Sequence, residues 1–234
     1  MAGLGEGVTV LLPAHNEAPT IAAVIEGCRR STPRLVEILV VDDGSTDNTA
    51  QLARDAGARV IRLPTNAGKG AAVRAGMLAA RGQVLVLLDA DGQDEPAEIP
   101  LLVEALSADA GIDLVVGSRF LGRFEAGSIT RLDRIGNVAL TGLFNLVTGA
   151  RVTDTQAGFR AIRRSTLLGL GLRAKRYDIE TDMLVELVRQ GGKVVEVAVT
   201  RRARSHGSTD LDRIADGLRI LGRIIGARWR RALG

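Results

Sequence analysis

Short runs of β-branched and leucine residues recur through the first half of the chain, and a polar cluster follows each. Val8 to Leu12 precedes Pro13, Glu37 to Val41 precedes "DDGSTDNTA", Arg59 to Leu63 precedes "PTNAGKGAAV", and Val84 to Leu88 precedes "DADGQDEP". Unbroken apolar runs of this length fit strands buried on both faces. Helix signals lie between them: Glu17 ahead of Ala18 to Arg30, Thr46 or Asp47 as cap of a helix through Ala56, and a small-residue helix after the "NAGKG" loop. The alternation predicts an α/β protein with a mostly parallel, doubly wound central sheet flanked by helices. Ligands of such sheets bind beyond the carboxyl ends of the strands. Four polar clusters, at 13–17, 42–47, 66–70 and 89–93, are therefore expected along one edge.

The second half is less regular. A helix over Ala97 to Leu106 precedes a strand, Asp113 to Phe120, and then a Gly- and Arg-containing loop, Leu121 to Thr130, that fits no element. An apolar helix from Arg131 to Thr148, a loop with a short strand in Asp154 to Ser165, and a stripe of Ile179, Met183, Leu184, Leu187 and Val188 ended by Gly191-Gly192 follow. A last strand, Val194 to Thr200, enters "RRARSHGSTD". From Leu211 to Leu233 one helical face carries Ile214, Leu218, Leu221, Ile225 and Trp229, with Arg213, Arg219, Arg223, Arg230 and Arg231 around it. Such a helix either lies on an anionic membrane surface or docks on the domain, and its arginine density favours the membrane. The expected organisation is a domain over 1–207, with halves at about 8–120 and 121–207, and a basic amphipathic helix at 208–234.

Charge sharpens that division. Of a net +4, the segment from Arg201 onward holds nine Arg and three Asp, or +6, leaving −2 for the rest. A basic module on a nearly neutral body points to phosphate or an anionic surface as partner. Aromatic residues are only 3% of the chain, too few for base stacking, so nucleic acid is not expected. The single cysteine, Cys28, excludes an internal disulfide and fits a reducing compartment, as a small buried residue on the first helix. No signal peptide and no run of about 20 apolar residues is present, so a cytoplasmic location is expected.

The chemistry centres on the fourth apolar run, which delivers Asp89 and Asp91 with Gln93 and Asp94 close behind. Residues i and i+2 of a strand converge on one ion only if the backbone turns, and Gly92 permits that turn. Carboxylate and amide oxygens without nearby His or Cys suit Mg²⁺ or Mn²⁺. The other reading is a strand end with solvated acids. "NAGKG" is similar to a phosphate loop but has Gly70 where the nucleoside-triphosphatase form has Ser or Thr, so it reads equally as a helix start with a solvated Lys69. His15 and His206 have no catalytic partner pattern and read as loop residues.

"LLPAHNE", "ILVVDDGSTDNT", "NAGKGAAVRAG", "LLDADGQDEP", "VVGSRF", "DTQAGFRAIRR" and "VVEVAV" together resemble glycosyltransferase family 2, in its dolichyl-phosphate mannose synthase-like branch, from Val8 to about Gly207. The resemblance implies a GT-A, Rossmann-like fold, a nucleotide-sugar donor, a Mg²⁺ or Mn²⁺ ion, inversion at the anomeric carbon and a polyprenyl-phosphate acceptor. Carried over, Pro13, Ala14, Asn16 and Glu17 belong to the nucleotide pocket, Asp43 contacts base or ribose, and Lys69 and Ala90 lie beside the donor. Asp89, Asp91 and Gln93 form the metal set. Arg119 faces the acceptor phosphate, Arg131 is a second such arginine with Arg134 as its rival, and Arg204 is similar to the arginine of a late "R-x-x-G-x-S-K" motif. There the chain departs, with Ser208, Thr209 and Asp210 after Gly207, so an acid replaces the motif's Lys. The branch's membrane-spanning extension is absent too, and the basic terminal helix is its expected substitute at the inner face of the membrane.

Glycosyl transfer from a diphosphate needs charge stabilisation at the leaving group. A phosphate acceptor is already anionic and needs positioning rather than a base. A hydroxyl acceptor needs a carboxylate, for which Glu180, Asp182 and Asp154 are candidates, Glu180 reading equally as a helix-start acid. Three readings remain: a hexosyltransferase from GDP-mannose or a UDP-glucose-type donor to polyprenyl phosphate, the same enzyme with a soluble acceptor, and a non-catalytic nucleotide-sugar-binding partner. Sugar, lipid length and oligomeric state are not legible.

Overall fold

The computed structural model describes residues 7–206 and the helix at 213–231, with side chains of that helix described over 215–226. The elements in chain order are β1 (Val8–Ala14), α1 (Ile21–Ser31), β2 (Leu35–Asp42), α2 (Thr49–Asp55), β3 (Arg59–Arg62), α3 (Lys69–Ala79) and β4 (Val84–Leu87). After a 3₁₀ turn at Pro96–Glu98 come α4 (Ile99–Ala108), β5 (Ile112–Phe124), α5 (Arg131–Thr148), β6 (Arg160–Arg163), α6 (Arg164–Gly169), α7 (Ile179–Arg189), β7 (Lys193–Arg201) and α8 (Arg213–Arg231).

The seven strands form one sheet in the order β3-β2-β1-β4-β6-β5-β7. Pairing is parallel except at β6, which runs antiparallel to both β4 and β5. Two apolar clusters cover the two faces: Val10, Leu12, Val40 and Val86 pack under α1 and α4, and Leu11, Leu39, Leu85 and Leu114 pack under α3 and α7. Each β1 residue thus alternates between two dry layers, which is why the strand reads as an unbroken apolar run. Cys28 is buried in the first cluster, as expected.

Three boundaries differ from the sequence reading in instructive ways. β1 continues through Pro13 and Ala14; the β4 ladder ends at Leu11, so Pro13 extends β1 alongside β2 alone. β5 continues to Phe124, taking in the first part of the loop left unassigned, because β7 pairs with it again at Arg123 and Phe124 after a bulge. α2 begins at Thr49, because Asp47 turns its carboxylate to the backbone N–H groups of Thr49 and Ala18 and so ties the entrance of α1 to that of α2.

The terminal helix packs on α5 and α7. Ile220 and Ile224 are buried, whereas Leu218 is 63% exposed and Ile225 is 47% exposed. The inward face is thus rotated from the expected stripe, because Arg223 reaches inward to the buried Asp178 and Asp182 at 2.9 and 3.2 Å. The side chains of Ile214, Trp229, Arg213, Arg230 and Arg231, and residues 208–210, lie outside the described set.

The glycines of "NAGKG" answer to packing. A Cβ on Gly68 would sit 2.4 Å from the Lys175 carbonyl oxygen, and one on Gly70 would sit 2.5 Å from that of Ala174. The 174–176 segment lies directly on the start of α3, so Gly70 stands where a phosphate loop has a hydroxyl residue because no side chain fits. Gly70→Ala is expected to cost about 1–3 kcal/mol, as overpacking against backbone does. Urea unfolding checks this: a midpoint unchanged from wild type contradicts the close approach.

Candidate active site

The carboxyl ends of β1, β2 and β4 and the start of α3 open into one cavity of about 970 Å³, lined by Pro13, Ala14, Asn16, Glu17, Asp43, Lys69, Asp89, Ala90, Asp91, Gln93, Arg119, Glu180 and Arg204 among others. Asn16 has a left-handed backbone, with φ 54°, that aims its Oδ1 at the Thr46 N–H, 2.8 Å away. Asp43 accepts the Ala67 and Gly68 N–H groups, both at 2.8 Å. His15 Nδ1 lies 2.9 Å from the Asp43 carbonyl. Asp43 therefore shapes the 66–68 loop that borders the cavity, and His15 braces Asp43 in turn. His206 is exposed and meets only Ser205 among the described residues.

The floor is a network of opposite charges. Lys69 Nζ sits 2.6 Å from Asp89 and 2.7 Å from Glu180, so the lysine of the third cluster is half-buried and held in an ion triad rather than solvated. Burial opposes the Lys69 charge, but Asp89 and Glu180 outweigh it and hold its pKa above the ordinary value. Burial likewise works against Asp89 ionisation, and Lys69 and Arg201 overcome it, holding that carboxyl below its usual range. Asp91 meets Arg204 at 2.6 Å and Arg201 at 3.6 Å. Arg201 also binds Asp94 at 2.7 Å. Gly158 roofs the triad, where a Cβ would stand 3.0 Å from both Asp89 Oδ2 and Lys69 Nζ.

Gln93 is differently engaged. Its Oε1 accepts from Arg201 Nη2 at 2.9 Å and its Nε2 donates to the Arg202 carbonyl at 3.0 Å, so both ends of the amide hold the strand end of β7. Arg201, absent from the sequence-derived set, is thus the hub joining Asp91, Gln93 and Asp94. Its signal was available: β7 runs parallel to β5, so its carboxyl end arrives at the ligand edge. For Arg201 too burial opposes the charge, while Asp94, Asp91 and Asp89 outweigh it and raise the pKa.

On the far side, Arg119 Nε and Nη2 fork onto the fully buried Asp154 at 2.7 and 2.8 Å. Asp154 thereby orients Arg119 along the cavity wall, a different task from that of a general base. Asp182 accepts the Arg173 and Ala174 N–H groups at 2.7 and 2.8 Å, which fixes the 173–174 backbone. Arg160, a further residue missed in the sequence, is fully buried and donates to the carbonyls of Ala157, Glu180 and Thr155 at 2.7, 2.7 and 2.9 Å. Burial lowers its pKa to about 10, still leaving it charged at neutral pH. It joins the loop before β6 to the start of α7, and so joins Arg119's partner to Glu180. Arg131 and Arg134 are exposed on the first turn of α5 and do not line the cavity; Arg134 stands over the Phe124 ring at 5.7 Å.

Asp89 and Asp91 offer hard carboxylate oxygens at a buried strand end, the donor chemistry of Mg²⁺ or Mn²⁺. Among the described residues no three His, Cys, Asp or Glu side chains are grouped to hold an ion. The two carboxylates face Lys69 and Arg204 instead.

The glycosyl transferase family 2 model matches residues 9–169. Glycosyltransferase AglJ of Haloferax volcanii is 37% identical over 91% of this chain and 69% of its own length. The dolichyl-phosphate hexose transferase of the same organism is 33% identical over 92% of this chain and 91% of its own. Among solved structures, glucosyl-3-phosphoglycerate synthase from Mycobacterium tuberculosis in complex with Mn²⁺, UDP-glucose and phosphoglyceric acid is 28% identical, with a TM-score of 0.76 over 96% of this chain and 80% of that one.

Glu17 yields a pH signature. Burial, then the neighbouring Asp91, raises its pKa from 4.5 to about 7. The fold holds this proton more tightly than the unfolded chain does, so Glu17 makes stability fall as pH rises from about 4.5 through about 7. Metal-free Glu17→Gln is expected to lose part of that decline in thermal stability. A variant whose profile parallels wild type across this window contradicts the assignment.

Proposed function

Because the chain belongs to glycosyl transferase family 2 and is a glycosyltransferase, we propose that it moves a hexose from a GDP-mannose or UDP-glucose-type donor to a polyprenyl phosphate, with inversion, at the inner face of the membrane. The observation that carries this reading is the mixed character of one cavity: a charged floor at the strand ends and an apolar wall of Leu132, Ile135, Leu140 and Ile220 from α5 and α8. The same two helices carry exposed apolar side chains: Leu132, Ile135, Val138 and Leu146 of α5 are 65, 67, 54 and 82% exposed, and Leu218 and Ile225 of α8 are exposed too. Exposed apolar area of this kind beside a charged pocket suits an acceptor with a phosphate head and a hydrocarbon tail. Among the described residues no helix is long and apolar enough to cross a membrane, so the attachment proposed is peripheral.

In this reading the nucleotide lies against Pro13, Ala14, Asn16, Glu17 and Asp43. Asp89 and Asp91 would hold Mg²⁺ or Mn²⁺, which would supply positive charge to the donor diphosphate. The protein's own residues supply the rest. A phosphate oxygen of the acceptor attacks the anomeric carbon from the side opposite the diphosphate, and the bond to the diphosphate breaks with its electron pair on the departing oxygen. Arg204 and Lys69 stabilise that developing charge. Arg119, locked by Asp154, orients the acceptor phosphate, whose oxygen is already anionic and needs no general base. Glu180 keeps Lys69 in place. Arg131 is assigned to the incoming phosphate at the cavity mouth, outside the lining.

A soluble phosphorylated acceptor is the second reading, favoured by the likeness to a synthase solved with phosphoglyceric acid. One assay separates the two. Purified protein with Mn²⁺ and radiolabelled nucleotide-sugars is expected to place label in the organic phase with polyprenyl phosphate, and Asp91→Asn to lower kcat/KM by about 10²–10³. Label that stays water-soluble, appearing with phosphoglyceric acid alone, contradicts the lipid acceptor. Label in neither phase with any donor contradicts the transfer itself.

A further inference from the structure

A second cavity, of about 670 Å³, adjoins the transfer cavity, with Asn66 and Arg176 lining both, and is walled by the 66–67 loop, the 173–178 segment and α8. Five cations line it: Arg173, Lys175, Arg176, Arg219 and Arg223, with Asp178 as the lining carboxylate. Behind the surface, buried carboxylates hold the guanidinium groups in position. Asp216 receives Arg219 at 2.6 Å and Arg176 at 3.5 Å, and Asp178 and Asp182 receive Arg223 at 2.9 and 3.2 Å. Arg173 and Lys175 are exposed, and their side chains have no partner among the described residues. Their backbone is fixed, since Asp182 accepts the Arg173 N–H and Gly68 and Gly70, at the start of α3, pack against Ala174 and Lys175.

Among the described residues, five cations against three carboxylates leave two positive charges in excess, arranged around a concavity on a braced backbone. A solvated basic face needs no such bracing; here three acids at most 4% exposed are spent on aiming guanidinium groups. Planar forks and a point-like ammonium around one hollow match the oxygens of a phosphate. We propose that this cavity is a phosphate-binding site adjoining the transfer site, from which Arg173, Lys175, Arg219 and Arg223 are set apart, taking a phosphomonoester or diphosphate group. The phosphate belongs either to a small soluble molecule or to a lipid headgroup, the chemistry being the same. Since α8 walls both cavities, with Gly217 and Ile220 on one and Arg219 and Arg223 on the other, an anion here fastens the helix that closes the transfer cavity.

The test uses the full chain at constant ionic strength, with inorganic phosphate and pyrophosphate against chloride. At about tenfold the dissociation constant, either anion is expected to raise Tm by about 3–6 °C. The double substitution Arg173→Glu, Lys175→Glu is expected to abolish the shift while leaving stabilisation by nucleotide-sugar with Mn²⁺ intact. Asp91→Asn is expected to do the reverse, so this proposal and the transfer reading fail separately. Lys175→Gln, a milder change at an exposed side chain, is expected to halve the shift or more and covers the case in which the double variant does not fold. Cosedimentation with phosphatidylcholine vesicles containing phosphatidic acid identifies the source. Binding lost in the charge variants assigns a lipid headgroup, and no vesicle binding beside a phosphate shift assigns a soluble ligand. No shift with either anion, together with vesicle binding unchanged by the substitutions, overturns the proposal, as does a shift that the substitutions leave in place.

Discussion

Carboxylates crowded at one end of a sheet repel one another, and this fold is built around relieving that repulsion. Asp89, Asp91, Asp94 and Glu180 converge where β4 ends and α7 begins, and three cations from distant parts of the chain meet them: Lys69, Arg201 and Arg204. A buried ion left alone is costly, so each partner's position is tied to the others'. The short β6, the glycines at 68, 70 and 158, and the end of β7 are arranged so that these side chains reach one floor. Near-neutralised by its own cations, the floor is stable without ligand and can exchange those contacts for others. In the proposed reaction an incoming ion or diphosphate would compete for oxygens and guanidinium groups that already have good partners.

That arrangement explains what was legible in the sequence. Strand–polar-cluster alternation identified the sheet, its edge and four of the segments that build the cavity, because local periodicity and turn chemistry are carried by neighbouring residues. The motif residues Pro13 to Glu17, Asp43, Lys69, Asp89, Asp91 and Arg204 do line one cavity. Pairings between distant residues were less legible. Nothing local says that Arg119 is locked by Asp154, that Gln93 spends its amide on β7, or that Arg160 sits in the core on three carbonyls. Arg201 was within reach of the strand-end rule but sits in a run of arginines that reads as a solvated basic tail.

The terminal helix shows the limit of periodicity most plainly. Its apolar residues support more than one face, and sequence rules turn every arginine outward. Buried Asp178 and Asp182 instead draw Arg223 inward, which brings Ile220 and Ile224 to the domain and leaves Leu218 and Ile225 outside. One helix thus closes an apolar cavity wall, carries an exposed apolar stripe and lines a basic hollow, three surfaces that hydropathy alone merges into one.

The central claim is that Asp91 is held by Arg204 until a divalent ion and its ligand take that carboxylate over. Titration of the full chain with Mn²⁺, read by electron paramagnetic resonance with and without UDP, addresses it directly. The account predicts weak Mn²⁺ binding to wild type alone and tighter binding with UDP. It also predicts that Arg204→Ala binds Mn²⁺ alone about 1.5- to 5-fold more tightly than wild type, since even a partly exposed ion pair is worth some tenths of a kcal/mol to 1 kcal/mol. Equal Mn²⁺ affinity in wild type, Arg204→Ala and Asp91→Asn would contradict it.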